Sequence, residues 1–358
     1  MGQYCALVRG KMDIELDSKS KEGLESIIIK FVSNGKPVGS KVISKKDKAG
    51  YSSATIRNIM SELERRGLVF QPHTSAGRVP TDMGYRFYVD SLMRSHELSF
   101  KEEQHINKSF DNIAGDMEEL IEAASSLLSN FSDNVGMVLY PKFSKTKFKD
   151  VRFIKLSYYR ILVILVSQGG FVFNKVIMVE EEIPQLELDR IANYLVEQFS
   201  GLTLVAVKKR LSKMLSQERA LYKELLKGII FIADRRLLEE TSADALYFSG
   251  TSRLLGQPEF FDLRKTRQLL KAIEDKEMIV KILTKCLDDE NVRVIIGSEN
   301  SWEGLRNLSL ITSIYKFGNI PLGLVGILGP TRMDYAKSIS LVDYISRSLS
   351  KVITEYST

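Results

Sequence analysis

Along residues 19–34, KSKEGLESIIIKFVSN, the apolar residues Leu24, Ile27, Ile28 and Phe31 recur every three or four positions. That period lines one face of a helix. Ser18 is its expected N-cap, and Gly35 and Pro37 end it. A short second helix is predicted from about Ser40 to Asp47, closed by Gly50. In the third helix, from Ser52 to Gly67, Ile56, Ile59, Met60 and Leu63 follow an i, i+3, i+4, i+7 pattern. SSAT caps its start, and Gly67 suits the residue just past its end. LVFQP then reads as a strand, HTSAGR as a turn and VP as the return strand. A further helix begins at Thr81, with Asp82 in the first turn, where a negative charge suits the helix dipole.

Residues 100–133 form a long amphipathic stretch, read as linker helices with a break near Gly115. From Asn134 the period changes. NVGMVLYP, VRFIKLSYY, RILVILVSQGG and FVFNKVIMVE are strand-like runs, followed by the helix PQLELDRIANYLVEQFS. Val207–Glu240 and Glu274–Leu287 are predicted as helical. Strands return in NVRVIIGSE, LSLITSIYKF and PLGLVGILGP, and DYAKSISLVDYISRSLSKVITEY closes the chain as a helix. The pattern predicts an α+β multidomain chain: a helical head with a hairpin, then a mixed body interrupted by a helical insertion.

Composition adds little to this picture; the placement of charge adds more. The 358 residues suit two or three domains, and 44% hydrophobic content supports real cores. No run reaches the length of a membrane helix, and Cys5 and Cys286 are too isolated for a disulfide framework, so a cytoplasmic location is expected. Net charge is +6, and residues 1–95 hold all of it, with 16 Lys and Arg against 10 Asp and Glu. A basic head on a neutral body suits a polyanion partner, and it equally suits a merely soluble basic surface.

Nucleotide-loop, nucleophile-elbow and dinucleotide fingerprints are missing from the sequence. His73, His96 and His105 do not cluster with Cys or Asp at metal spacing, and Glu180–Glu182 reads as a solvated turn. SQGG and GTSRLLG read as turns rather than phosphate loops. No catalytic residue, cofactor or metal is therefore expected. The third helix offers another chemistry. Its polar face carries Ala54, Asn58, Ser61 and Arg65, flanked by Thr55, Arg57 and Glu62. Small and polar residues let a helix enter the major groove, where Arg pairs with guanine and Asn with adenine. Ser52 and Ser53 are candidate phosphate contacts at the helix start. His73, Thr74, Ser75 and Arg78 make the hairpin tip polar and basic, with Gly77 expected to permit its tight turn. An ordinary solvated helix face remains the competing reading. The order helix pair, recognition helix, basic hairpin favours a winged helix-turn-helix.

KPVGSKVIS, YSSATIRNIMSELERRGLVFQPHTSAGRVPTDMGYRFYVD and the distant GTSRLLGQPEF resemble the HrcA family of bacterial heat-inducible transcription repressors. The resemblance covers nearly the whole chain. It implies a winged-helix DNA-binding domain over residues 1–99, linker helices over 100–133, a GAF-like domain over 134–206 and 254–358, and an inserted dimerising domain over 207–253. It further implies a homodimer on double-stranded DNA carrying an inverted repeat (the CIRCE element) upstream of chaperone operons, kept active by the GroE chaperonin. The DNA-reading helix maps onto Ser52–Arg66 and the wing onto Gln71–Pro80. Ile59 departs from the family's usual Asp. The first dozen residues lie outside the pattern, which leaves Met12 as an alternative start to Met1. The competing functional class is a ligand-sensing GAF-type regulator or enzyme, with its small-molecule pocket in the C-terminal body.

Overall fold

The computed structural model describes residues 14–44, 51–94, 96–113, 117–139, 147–168, 172–214, 226–227, 229–230, 246–287 and 291–355. Both possible starts, and most of the expected insertion at 207–253, lie outside the described residues.

The head begins with α1 (Ser18–Asn34), α2 (Ser40–Ser44) and α3 (Ser53–Arg65). Asp17, one residue before the expected cap, accepts the Ser20 N–H at 2.9 Å and starts α1. Gly35 ends it in the left-handed region at φ 65°, a conformation that costs glycine little. A two-residue antiparallel pair follows, β1 (Val69–Phe70) with β2 (Val79–Pro80). Then come α4 (Asp82–Phe87) and a π turn at Tyr88–Leu92. Leu24, Ile27, Ile28, Ile56, Ile59, Met60 and Leu63 are all buried between the helices. Ile59 packs where α1 has Gly23, whose ideal Cβ would lie 2.6 Å from the Ile59 Cγ2. A bare backbone on α1 thus accommodates the branched side chain on α3.

Two helices, α5 (Phe100–Asp111) and α6 (Met117–Ser132), connect head and body. The body is built on a five-stranded antiparallel sheet of β3 (Val135–Leu139), β7 (Leu246–Ser249), β8 (Arg293–Ile296), β9 (Leu308–Phe317) and β10 (Ile320–Pro330). Their order is β7-β3-β10-β9-β8. Both faces are covered. Val325, Ile327 and Ile311 meet α6 and the closing helix α12 (Tyr335–Glu355). Leu324, Leu328 and Ile314 meet the opposite layer, α9 (Thr251–Leu255), α10 (Leu263–Glu274) and α11 (Lys276–Thr284). Double coverage explains why these strands read as nearly unbroken apolar runs rather than alternating ones.

The sheet topology divides the strands between two sheets of the body. β4 (Phe148–Ser157), β5 (Arg160–Ser167) and β6 (Val172–Met178) pair with one another in a separate three-stranded sheet. Apolar runs announce strands but not their partners, which depend on contacts far apart in sequence. One face of the small sheet packs Phe153, Val163 and Leu165 against Leu188, Ala192 and Leu195 of α7 (Gln185–Phe199), which is followed by α8 (Leu204–Met214). GTSRLLG, expected as a turn, instead forms the short helix α9 after Gly250 at φ 80°.

Among the described residues no helix is long and apolar enough to cross a membrane.

Candidate nucleic-acid interface

The third helix has the predicted two-sided character. Ile56, Ile59, Met60 and Leu63 are buried, whereas Ala54, Arg57, Asn58, Ser61 and Arg65 are exposed, and Thr55 is half-buried. Burying four apolar side chains fixes the rotation of the helix about its axis, and the polar stripe therefore has to face outward. Ser52 is the N-cap: its Oγ accepts the Thr55 N–H at 3.1 Å and lies 3.0 Å from the Thr55 hydroxyl. The Ser53 hydroxyl lies 3.1 Å from that of Ser40, tying α3 to α2. Both serines thus have structural partners, while the N–H groups of the first turn face out of the positive end of the helix dipole. Lys36 and Lys41 are exposed on the neighbouring loop and helix; their scattered positions carried no periodic signal.

The C-terminal end of the polar stripe is more constrained. Glu62 forms ion pairs with both Arg65 and Arg66, and Arg66 also donates to the Glu15 carbonyl at 2.6 Å. Ser61 donates to the Arg57 carbonyl at 3.0 Å. Arg57 and Asn58 remain the exposed groups with the widest reach near the helix start.

At the hairpin tip His73, Thr74 and Ser75 are exposed. The Ala76 N–H donates to the His73 carbonyl at 2.8 Å, and Gln71 Nε2 donates to the Thr74 and Ala76 carbonyls, both at 2.9 Å. Gln71 is therefore the strut of the tip, a role no local pattern announces. Two expectations need correction. Gly77 does not supply a positive φ; it permits close approach, since a Cβ there would lie 2.3 Å from the Val38 carbonyl carbon. Arg78 does not stand at the tip. Its side chain is 16% exposed and pairs with Glu64 of α3 at 2.7 Å, while its backbone bridges Val38 through two 2.9 Å hydrogen bonds. Arg78 locks the hairpin, α3 and the α1–α2 loop together, and its guanidinium is largely covered. The reach of a long side chain is set by its neighbours, which spacing in the sequence does not reveal.

An open cavity of about 510 Å³ lies where α1 meets the body, lined by groups that include Val32, Asp133, Asn134, Arg253, Gln257 and Arg332. These groups engage one another or nearby carbonyls: Arg253 binds Asp133 and Asn130, Gln257 binds the Asp133 carbonyl, and Arg332 binds Glu259. No cluster of three or more His, Cys, Asp or Glu suited to a metal occurs among the described residues.

Comparison with known proteins defines the class first: the similar curated proteins are transcription repressors by name, which sets the chain among regulators rather than enzymes. The heat-inducible transcription repressor HrcA of Syntrophobacter fumaroxidans is 38% identical over 342 residues, covering 95% of this chain and 98% of the relative. That of Geobacter sulfurreducens is 38% identical over 339 residues, again covering 95% of this chain and 98% of the relative. That of Halalkalibacterium halodurans is 32% identical, covering 93% and 96%. The profile of the HrcA protein C terminal domain matches residues 118–339. The chain belongs to the HrcA family. A hypothetical protein known from a crystal structure at 2.2 Å resolution shares the fold, with a TM-score of 0.66 at 24% identity, covering 96% of this chain and all of that one.

Proposed function

We propose that this chain represses transcription of heat-shock operons by binding DNA through a winged helix-turn-helix head. The observation that carries the reading is α3: a capped helix whose apolar stripe is wholly buried and whose stripe of Arg57, Asn58 and Ser61 is exposed. In this reading Arg57 and Asn58 read base edges, and the first-turn N–H groups with Ser52 and Ser53 bind a phosphate. Ser61 and Arg65 line the groove, and His73, Thr74 and Ser75 of the wing reach the backbone or minor groove. Arg78 serves as a brace.

The body is read as GAF-like, interrupted between β3 and β7. The inserted unit runs over residues 140–245 and includes β4–β6 and α7, in place of the narrower 207–253. It is also the proposed dimeriser. The face of its sheet opposite α7 carries Ile154, Leu162 and Val176 in one row across three strands, with exposed Leu156, Val172 and Met178 around it. An aliphatic sheet face of this kind is a liability unless covered, and a second copy covers it symmetrically. A two-fold dimer presents two heads to the two arms of an inverted repeat. The genes controlled, the CIRCE operator, dependence on the GroE chaperonin and a cytoplasmic location follow from family resemblance, and the interlocked polar groups of the cavity supply no support for a ligand-sensing role.

Titration of the purified chain on an inverted repeat, on one arm of it and on scrambled DNA tests the reading. Tight binding of the repeat, with weak binding of one arm, is the expected result. Equal affinity for all three would overturn it.

A further inference from the structure

The motif GTSRLLGQPEF and the second half of the block around Arg86 take no part in DNA reading, yet both lie where the head meets the body. At one point Arg86, 6% exposed, forms a fork with Glu299, Nε to Oε1 at 2.7 Å and Nη2 to Oε2 at 2.5 Å. The same guanidinium donates to the Val294 carbonyl at 2.7 Å and to Asp90 at 3.2 Å. Beside it the Ser298 N–H donates to Asp82 at 2.8 Å, so this first-turn carboxylate serves the body as well as its own helix. Gly297, at φ 48°, leaves the room that Asp82 fills. Tyr85 lies against Tyr335 with ring centroids 5.6 Å apart. At a second point Arg332 forks onto Glu259 of the motif and donates Nη1 to the Val32 carbonyl at 2.5 Å. That carbonyl belongs to the last turn of α1, where unpaired acceptors and the negative end of the helix dipole favour a guanidinium. The rest of the motif secures the support: Arg253 and Gln257 hold Asp133 and Asn134 in the turn between α6 and β3.

We propose that the Arg86–Glu299 fork at α4 and the bond from Arg332, itself held by Glu259, to the Val32 carbonyl at the end of α1 are a two-point mount that fixes the angle of the head on the body. One contact would leave the head free to swivel; two contacts on different helices remove that freedom. Buried ion pairs add little net stability compared with apolar packing, because desolvation offsets their attraction, but they demand one geometry. The inference rests on the dimeric-repressor reading and deepens it: with the heads at a set angle, the dimer accepts one separation between the arms of its operator. Arg86, Glu299, Arg332 and Glu259 are positioning residues, and none belongs to the proposed DNA-contacting set.

The test compares the full chain with Glu299→Gln and Glu259→Gln on inverted repeats whose spacer is lengthened or shortened by one or two base pairs. The unmutated chain is expected to lose about tenfold or more in affinity off its preferred spacer, out of the avidity that joins two heads. The variants should bind the preferred spacer more weakly and discriminate less among spacers, while single-arm affinity stays within about twofold because the reading helix is distant. Circular dichroism verifies that they fold. Variants that keep the full spacer preference would overturn the mount while leaving the repressor reading intact; an unmutated chain with no preference for two arms over one would overturn both. Should either variant fail to fold, spin labels at Ser75→Cys and Lys351→Cys in the otherwise unmutated chain decide the matter. A narrow head-to-body distance distribution supports the mount, and a broad one overturns it.

Discussion

At Gly77 an ideal Cβ would lie 2.3 Å from the Val38 carbonyl carbon and 2.4 Å from its oxygen, both backbone atoms that a flexible side chain cannot replace. Gly77→Ala is therefore expected to push the hairpin off the α1–α2 loop and cost the head about 1–3 kcal/mol, the usual range for overpacking. Gly39→Ala, with nothing within 4 Å of its Cβ, is the matched control and should be near neutral. Chemical denaturation of both variants checks the contrast. Arg57→Ala should cost about 1–3 kcal/mol in operator affinity and relax preference at one base pair, as measured by competition with single-base operator variants. Equal loss on every variant would make Arg57 a phosphate contact. Arg78→Ala should behave otherwise. Because its guanidinium is paired with Glu64 and largely covered, the expected result is about 1 kcal/mol of lost stability and an unchanged slope of log affinity against log salt. A slope lowered by about one unit would return Arg78 to the phosphate contacts.

At the scale of single elements, caps and faces decide. Ser52→Ala removes the α3 cap and should cost about 1 kcal/mol in thermal or chemical stability. The caps of α1 and α5 add a pH dependence. Hydrogen bonds from the Ser20 side chain and backbone lower the Asp17 carboxyl below its ordinary range, and those from the backbone and side chain of Ser99 lower that of Glu102. A lowered carboxylate favours the fold fully above its unfolded value and loses that contribution as pH falls through the lowered one. Carboxyl titration by NMR should thus find both groups ionised further into acid than in unfolded peptides, with α1 and α5 fraying only beyond that point. The small sheet makes a different prediction. Val176→Glu places a charge at one end of the aliphatic row, on the edge strand β6, without disturbing the face packed on α7, so light scattering should find monomers and circular dichroism an intact fold. Persistence of the dimer would move the interface elsewhere.

For the whole molecule, the consequence of that substitution is avidity. On the proposed reading, a single head would contact few base pairs, too little information to find one promoter among a genome of competing sites. Two heads joined in a dimer raise the local concentration of the second arm, a gain of about 10²–10⁴ without new contacts. Val176→Glu is therefore expected to weaken binding of the full inverted repeat at least ~100-fold on this argument while leaving single-arm affinity unchanged, as read by titration on both DNAs. A chain cut after Ser99 would be a poorer test of the same point, because it uncovers Tyr85 and Arg86, which are buried against the body.

The helix α3 was legible in the sequence because its information is local. A stripe at helical spacing, a serine cap and a closing glycine at φ 74° jointly specify α3, and burial of the stripe dictates which side chains face out. The hairpin position, the helix α12 and the presence of most strands were legible for the same reason. What tertiary structure alone decided is every relation between distant segments. The division of strands into two sheets depends on pairings across more than a hundred residues, such as β3 with β7 and β10, which no period encodes. The fate of each arginine is decided the same way. Arg57 and Arg78 look alike in the sequence, yet one projects from the helix and the other is folded back onto Glu64. Arg86 sits mid-helix in a block that reads as DNA-binding, and only the approach of Glu299, 213 positions away, makes it part of the mount. A charged group acquires its role from whatever the fold brings within hydrogen-bonding distance, and that distance is a property of three dimensions.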